Sequence, residues 1–136
     1  MSYNKYCFIP ARYHSSRLPG KPLLKINGKT IIRLVYEQVK KCNLIDDIIV
    51  LTDDERIKKE VESFRGSVAI VVDDCLNGTE RIVKFLKNND YFRNNADIII
   101  NVQGDEPFIN PSNIDKCIKN YLEKKGVKES RYFTQV

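Results

Sequence analysis

Residues 10–22 read Pro-Ala-Arg-Tyr-His-Ser-Ser-Arg-Leu-Pro-Gly-Lys-Pro, and place Arg12, Arg17 and Lys21 around the flexible backbone of Gly20. Guanidinium forks and an ammonium neutralise a phosphate chain where the backbone comes close, and glycine permits that approach. The loop has the layout of a triphosphate cradle, although each cation alone is equally a surface charge. His14 lies in the same loop, within reach of a phosphate or simply solvated.

Chemistry on a phosphate chain also needs a hard cation, and magnesium binds through one or two carboxylates plus substrate phosphates. Asp105, freed by Gly104 just past an apolar run, is the carboxylate best placed to hold Mg²⁺; Glu106, its neighbour in an extended segment, points away. Asp73 and Asp74 read as loop formers. Asn77-Gly-Thr-Glu-Arg81 opens a helix, with Thr79 as cap and Glu80 favoured by the positive helix end. Gly78 and Thr79 are also placed to address a ligand, and Arg81 to reach a phosphate or organise the site.

The distribution of charge narrows the partner. Residues 1–41 carry nine Lys or Arg against Glu37 alone, whereas the rest of the chain is slightly acidic, within a net charge of +5. A focused patch suits a small polyanion in a pocket; nucleic acid would call for a basic stripe. With 136 residues, 42% hydrophobic and 30% charged, the chain reads as one globular domain. No apolar run approaches the roughly 20 residues of a membrane span. The apolar stretch Tyr6–Pro10 is too short for a secretory signal, which gives a cytoplasmic expectation. Cys7, Cys42, Cys75 and Cys117 are scattered and His14 is the only histidine, so local spacing builds no zinc site. Free thiols are expected, with Cys7 and Cys117 in the core.

These groups must be positioned by alternating elements. Tyr6–Pro10, Asp47–Leu51, Ser67–Val72 and Ala96–Val102 read as buried strands. Helices are expected over Ile31–Lys41 behind a Thr30 cap, after Asp53 as far as Gly66, after Asn77, and after Asn110-Pro111. Asn27-Gly28 marks a tight turn. Continuous apolar strands alternating with amphipathic helices predict a three-layer α/β/α fold with a mostly parallel sheet. Ligands bind at the carboxyl ends of such strands, where every unusual loop of this chain lies.

Three segments, Phe8 to Leu23, Asn77-Gly-Thr-Glu-Arg81 and Asn101-Val-Gln-Gly-Asp-Glu-Pro107, resemble in order the 3-deoxy-manno-octulosonate (Kdo) cytidylyltransferases. Ile26-Asn-Gly-Lys29 and Thr52-Asp53 fit as well. The sialic acid cytidylyltransferases look similar at the first loop but usually carry a glycine-rich form in place of Arg12-Tyr13. The resemblance implies a Rossmann-like, glycosyltransferase-A-like nucleotidyltransferase fold. It further implies transfer of CMP from CTP to Kdo with release of pyrophosphate, for surface polysaccharide or lipopolysaccharide.

In that reading Pro10, Ala11 and Arg12 meet the cytosine and α-phosphate side, and Lys21 meets the triphosphate. Thr79, Arg81 and Gln103 line the nucleotide pocket, and Asp105 holds Mg²⁺ while the anomeric hydroxyl attacks. Members of the family are longer, and their second half carries the sugar-acid pocket, a further magnesium aspartate and dimer contacts. The resemblance therefore implies a truncated, single CTP-binding domain over residues 1–136 that lacks this half. Either a homo-oligomer or a partner would complete it, or it is a catalytically incomplete nucleotide-binding module. A sheet cut after its fourth strand would leave an apolar edge uncovered.

Overall fold

The computed structural model describes residues 3–14, 17–72, 75, 77–125 and 132–135; the loop formers Asp73 and Asp74 lie outside them. Five parallel strands form the sheet in the order β5-β4-β1-β6-β7: β1 Lys5–Ala11, β4 Asp47–Thr52, β5 Val68–Ile70, β6 Ile98–Asn101 and β7 Tyr132–Gln135. The short strands β2 Lys25–Ile26 and β3 Lys29–Thr30 make a separate hairpin. Its two turn residues, Asn27 and Gly28, both take positive φ (52° and 85°), as a tight hairpin turn requires.

The unbroken apolar strands follow from burial on both faces. Along β1, Cys7, Ile9 and Ala11 face a core shared with α1 (Ile31–Lys40), α2 (Glu55–Ser63) and α5 (Pro111–Lys125). Tyr6 and Phe8 face the opposite core, beneath α3 (Gly78–Lys87) and α4 (Asp90–Asn95). Ile98 and Ile100 of β6 likewise face the first core, and Ile99 the second. The expected three layers are thus present.

Several boundaries differ from expectation for local reasons. Asp54, not Asp53, caps α2, accepting the Arg56 N–H at 2.8 Å; Asp53 is diverted to another bond described below. Asn77, not Thr79, caps α3 through the Glu80 N–H at 2.9 Å. The α2 terminus closes with Arg65 in the left-handed region (φ 62°), while the Gly66 N–H reaches back to the Val61 carbonyl at 2.9 Å. The third expected strand pairs only over Val68–Ile70, as an edge strand. The helix α4 has no helical periodicity to announce it; Phe92 anchors it against Tyr6, Phe8 and Phe85, with ring centres 5.4–6.4 Å away.

The edge left by a fourth and last strand is not open: β7 pairs with β6 from Ile98↔Tyr132 to Asn101↔Gln135. Among the described residues, no helix is long and apolar enough to cross a membrane.

All four cysteines are thiols. Cys7 is fully buried as expected, but Cys117 is only half-buried. Burial pushes the Cys7 thiol far up, and burial, helped by the Asp115 carboxylate, pushes Cys42 up to about 12. Both therefore stay protonated and slow toward electrophiles. Iodoacetamide at pH 8 is expected to modify the partly exposed Cys75 and spare Cys7 and Cys42 until the protein is denatured. Mass spectrometry of the alkylated native protein checks this; native labelling of Cys42 at the rate of Cys75 would contradict it.

Candidate nucleotide-binding groove

The strand order reverses at β1: β4 and β5 step away on one side of it, β6 and β7 on the other. At such a switch point the loops leaving adjacent strands diverge and open a crevice. The ends of β1 and β6 are tied together there, Val102 N–H to the Phe8 carbonyl and Gly104 N–H to the Pro10 carbonyl, both at 3.1 Å. A Cβ on Gly104 would stand 2.8 Å from that Pro10 oxygen and 2.9 Å from the Ala11 Cβ. Only glycine lets the two strand ends close to form the floor.

Two adjoining cavities, of about 510 and 230 Å³, open on this floor and share Pro10, Ala11, Arg12 and Gln103. They make one groove across the switch point. The larger cavity adds Arg17, Lys21 and Asp105. Lys21 Nζ lies 3.6 Å from Asp105 Oδ2, with both side chains nearly half exposed. Three cations and one carboxylate thus converge at one end, separated in the chain but joined by the parallel pairing of β1 with β6.

The smaller cavity adds Asn77, Gly78, Arg81 and Cys75. Here the first turn of α3 lies against β1 and β6: a Cβ on Gly78 would meet the Pro10 ring at 2.9 Å and Gln103 Nε2 at 3.6 Å. Arg81 is buried, its Nη1 donating to the Val71 carbonyl. Thr79 stands apart from the other expected residues. It is exposed and outside the lining of both cavities, and its Oγ1 accepts from Asn101 Nδ2 at 3.5 Å.

Nine of the ten residues expected from the sequence therefore line one groove. Sequence reasoning missed what holds the basic loop in place. The Tyr13 N–H donates to Asp53 Oδ1 at 3.1 Å, and its ring carries the Arg56 guanidinium. Arg56 in turn grips Asp54, and its hydrogen bonds hold that carboxyl below the usual carboxylate range. The signal available was the pair Asp53-Asp54 at the carboxyl end of a strand, which helix capping alone seemed to account for.

Magnesium can be tested against the donors present. Among the described residues no group of three or more His, Cys, Asp or Glu is gathered to cage a metal. Among the described residues lining the groove, one carboxylate, Asp105, beside three cations suited to phosphate matches the way magnesium binds jointly to protein and nucleotide. The donor set fits a shared metal rather than a protein-only site.

A parallel α/β sheet with a cationic groove at its switch point defines a nucleotidyltransferase-type domain. The chain belongs to the cytidylyltransferase family, whose model matches residues 6–135. It is 47% identical over 113 residues to 3-deoxy-manno-octulosonate cytidylyltransferase 2 of Hydrogenovibrio crunogenus, covering 83% of this chain and 45% of that protein. It is 45% identical over 126 residues to the 8-amino-3,8-dideoxy-manno-octulosonate cytidylyltransferase of Shewanella sp. strain W3-18-1, covering 90% and 49%. The structure of CMP:2-keto-3-deoxy-manno-octonic acid synthetase complexed with CTP superposes with a TM-score of 0.81 at 38% identity, over 90% of this chain and 48% of that one. The chain spans about half the length of the relatives it matches.

Proposed function

We propose that the groove binds Mg-CTP and that the chain is the nucleotide-binding part of an enzyme transferring CMP from CTP to a Kdo-type sugar acid, with release of pyrophosphate. The observation that carries this reading is the convergence of Arg12, Arg17, Lys21 and Asp105 on the β1–β6 floor. The two cavities together fall within the roughly 300–1,000 Å³ usual for small-molecule sites. Cations focused on a groove also favour a small polyanion over a nucleic-acid duplex.

Nucleotidyl transfer asks a protein for positioning and charge neutralisation more than covalent chemistry. Lys21 and Arg17 neutralise the departing pyrophosphate, and Arg12, on the shared floor, holds the α-phosphate in line for the sugar's anomeric hydroxyl. Pro10, Ala11, Gly78 and Gln103 enclose the base, with Arg81 fixing the wall behind them. Asp105 would hold Mg²⁺, which supplies neutralisation of charge on the phosphate oxygens. The acceptor pocket and any second metal carboxylate would lie outside these groove residues. Cytoplasmic work on an activated sugar for surface polysaccharide or lipopolysaccharide belongs to the same proposal.

Thermal unfolding tests it. Mg-CTP is expected to raise the midpoint more than Mg-ATP or Mg-GTP, because a ligand at about 100 times its Kd adds about 2.7 kcal/mol. Equal shifts with all three, or none, would remove the cytidine assignment. Kdo-dependent pyrophosphate release then separates an enzyme competent by itself from a nucleotide-binding module.

A further inference from the structure

The basic loop is held from outside the groove at Tyr13. Besides the bond to Asp53, the Tyr13 carbonyl accepts the Gly20 N–H at 2.6 Å. Gly20 has φ 73°, and a Cβ there would stand 2.9 Å from Tyr13 Cε2. Tyr13 and Gly20 thus close the loop on itself, one residue before Lys21. The Arg56 guanidinium carbon lies 3.5 Å from the centre of the Tyr13 ring. That guanidinium is oriented by a two-pronged grip on Asp54, Nε to Oδ1 at 3.0 Å and Nη2 to Oδ2 at 2.8 Å.

We propose that Arg56 is a positioning residue for the nucleotide loop: held by Asp54, it presses on Tyr13 and so fixes Gly20 and the Lys21 ammonium at the groove. The role rests on reading the groove as a nucleotide site. Arg56 is not among the residues that line the groove. Its side chain is more than half exposed, and an exposed ion pair does little for folding. A planar guanidinium can bond a carboxylate bidentately through its edge while stacking through its face; an ammonium is a point charge with neither the fork nor the flat face. The arrangement therefore distinguishes arginine from lysine.

The experiment compares Arg56→Ala, Arg56→Lys and Tyr13→Phe in the full chain, first without nucleotide. Exchange of the Gly20 amide hydrogen is expected to accelerate about two- to fivefold in Arg56→Ala and Arg56→Lys, the scale of an exposed cation–π contact, and to stay near wild type in Tyr13→Phe. Mg-CTP affinity should fall by a similar factor in the two Arg56 variants, with the unliganded midpoint unchanged. A role confined to stabilising α2 would lower that midpoint and leave Gly20 exchange alone. Unchanged Gly20 exchange in Arg56→Ala, or wild-type behaviour of Arg56→Lys, overturns the proposal. Should wild-type protein not bind CTP, the nucleotide reading fails, while Gly20 exchange still decides whether the clamp exists.

Discussion

Lys21→Ala is expected to weaken Mg-CTP binding by about ten- to a hundredfold, because a hydrogen bond to a charged group contributes about 1.5–3 kcal/mol and each 1.4 kcal/mol is tenfold. Lys21 sits at the larger end of the groove, and its ammonium pairs with Asp105, 3.6 Å away. That surface pair adds about 0–1 kcal/mol to folding, so the unliganded midpoint should barely move. Calorimetric titration of the variant with Mg-CTP separates the two effects. Unchanged affinity would remove Lys21 from the triphosphate site. Asp105→Asn is the companion measurement: it keeps the shape but loses the anionic oxygen, and CTP binding should lose its dependence on magnesium. If Asp105→Asn binds Mg-CTP as wild type does, Asp105 is not the metal ligand.

Gly104→Ala is expected to destabilise the fold by about 1–3 kcal/mol, the usual cost of forcing volume into a packed site. The neighbour that must yield is not a flexible side-chain tip. The new Cβ would meet the Pro10 carbonyl oxygen at 2.8 Å, on a strand buried in the middle of the sheet. Relief requires parting β1 from the segment after β6, which stretches the 3.1 Å bond from the Gly104 N–H to that same oxygen. The midpoint should fall by roughly 4–12 °C for a domain of this size. CTP affinity should fall with it, since Pro10 and Ala11 form the groove floor. A midpoint within a degree of wild type would show that the strand ends separate at little cost, and that glycine at 104 answers to something other than packing.

Much of this architecture is written in local pattern. Apolar runs such as Ile98-Ile-Ile and Cys7-Phe-Ile specify strands covered on both faces, because alternate side chains must enter different cores. Helical spacing of Ile31, Val35 and Val39, or of Ile57 and Val61, specifies which face of α1 and α2 turns inward. The polar loops at the strand ends, and the types Arg12, Arg17, Lys21 and Asp105 within them, mark where the groove lies, since the loops that leave parallel strands gather at one edge of the sheet.

Other features depended on partners far away in sequence. Whether Asp53 or Asp54 would cap α2 turned on the Tyr13 N–H, forty residues earlier, which draws Asp53 away. The pairing of Tyr132–Gln135 as a fifth strand turned on the edge of β6, whose backbone donors and acceptors a segment more than thirty residues later can take. The helix α4 exists because Phe92 finds a pocket among Tyr6, Phe8 and Phe85, residues no short window contains. The clamp of Arg56 on Tyr13 is of the same kind. Residue types and periodicity determine which elements form and what chemistry they carry; which capping group is spared, which edge is filled and which arginine stacks are decided only when distant segments compete for the same donors, acceptors and ring faces.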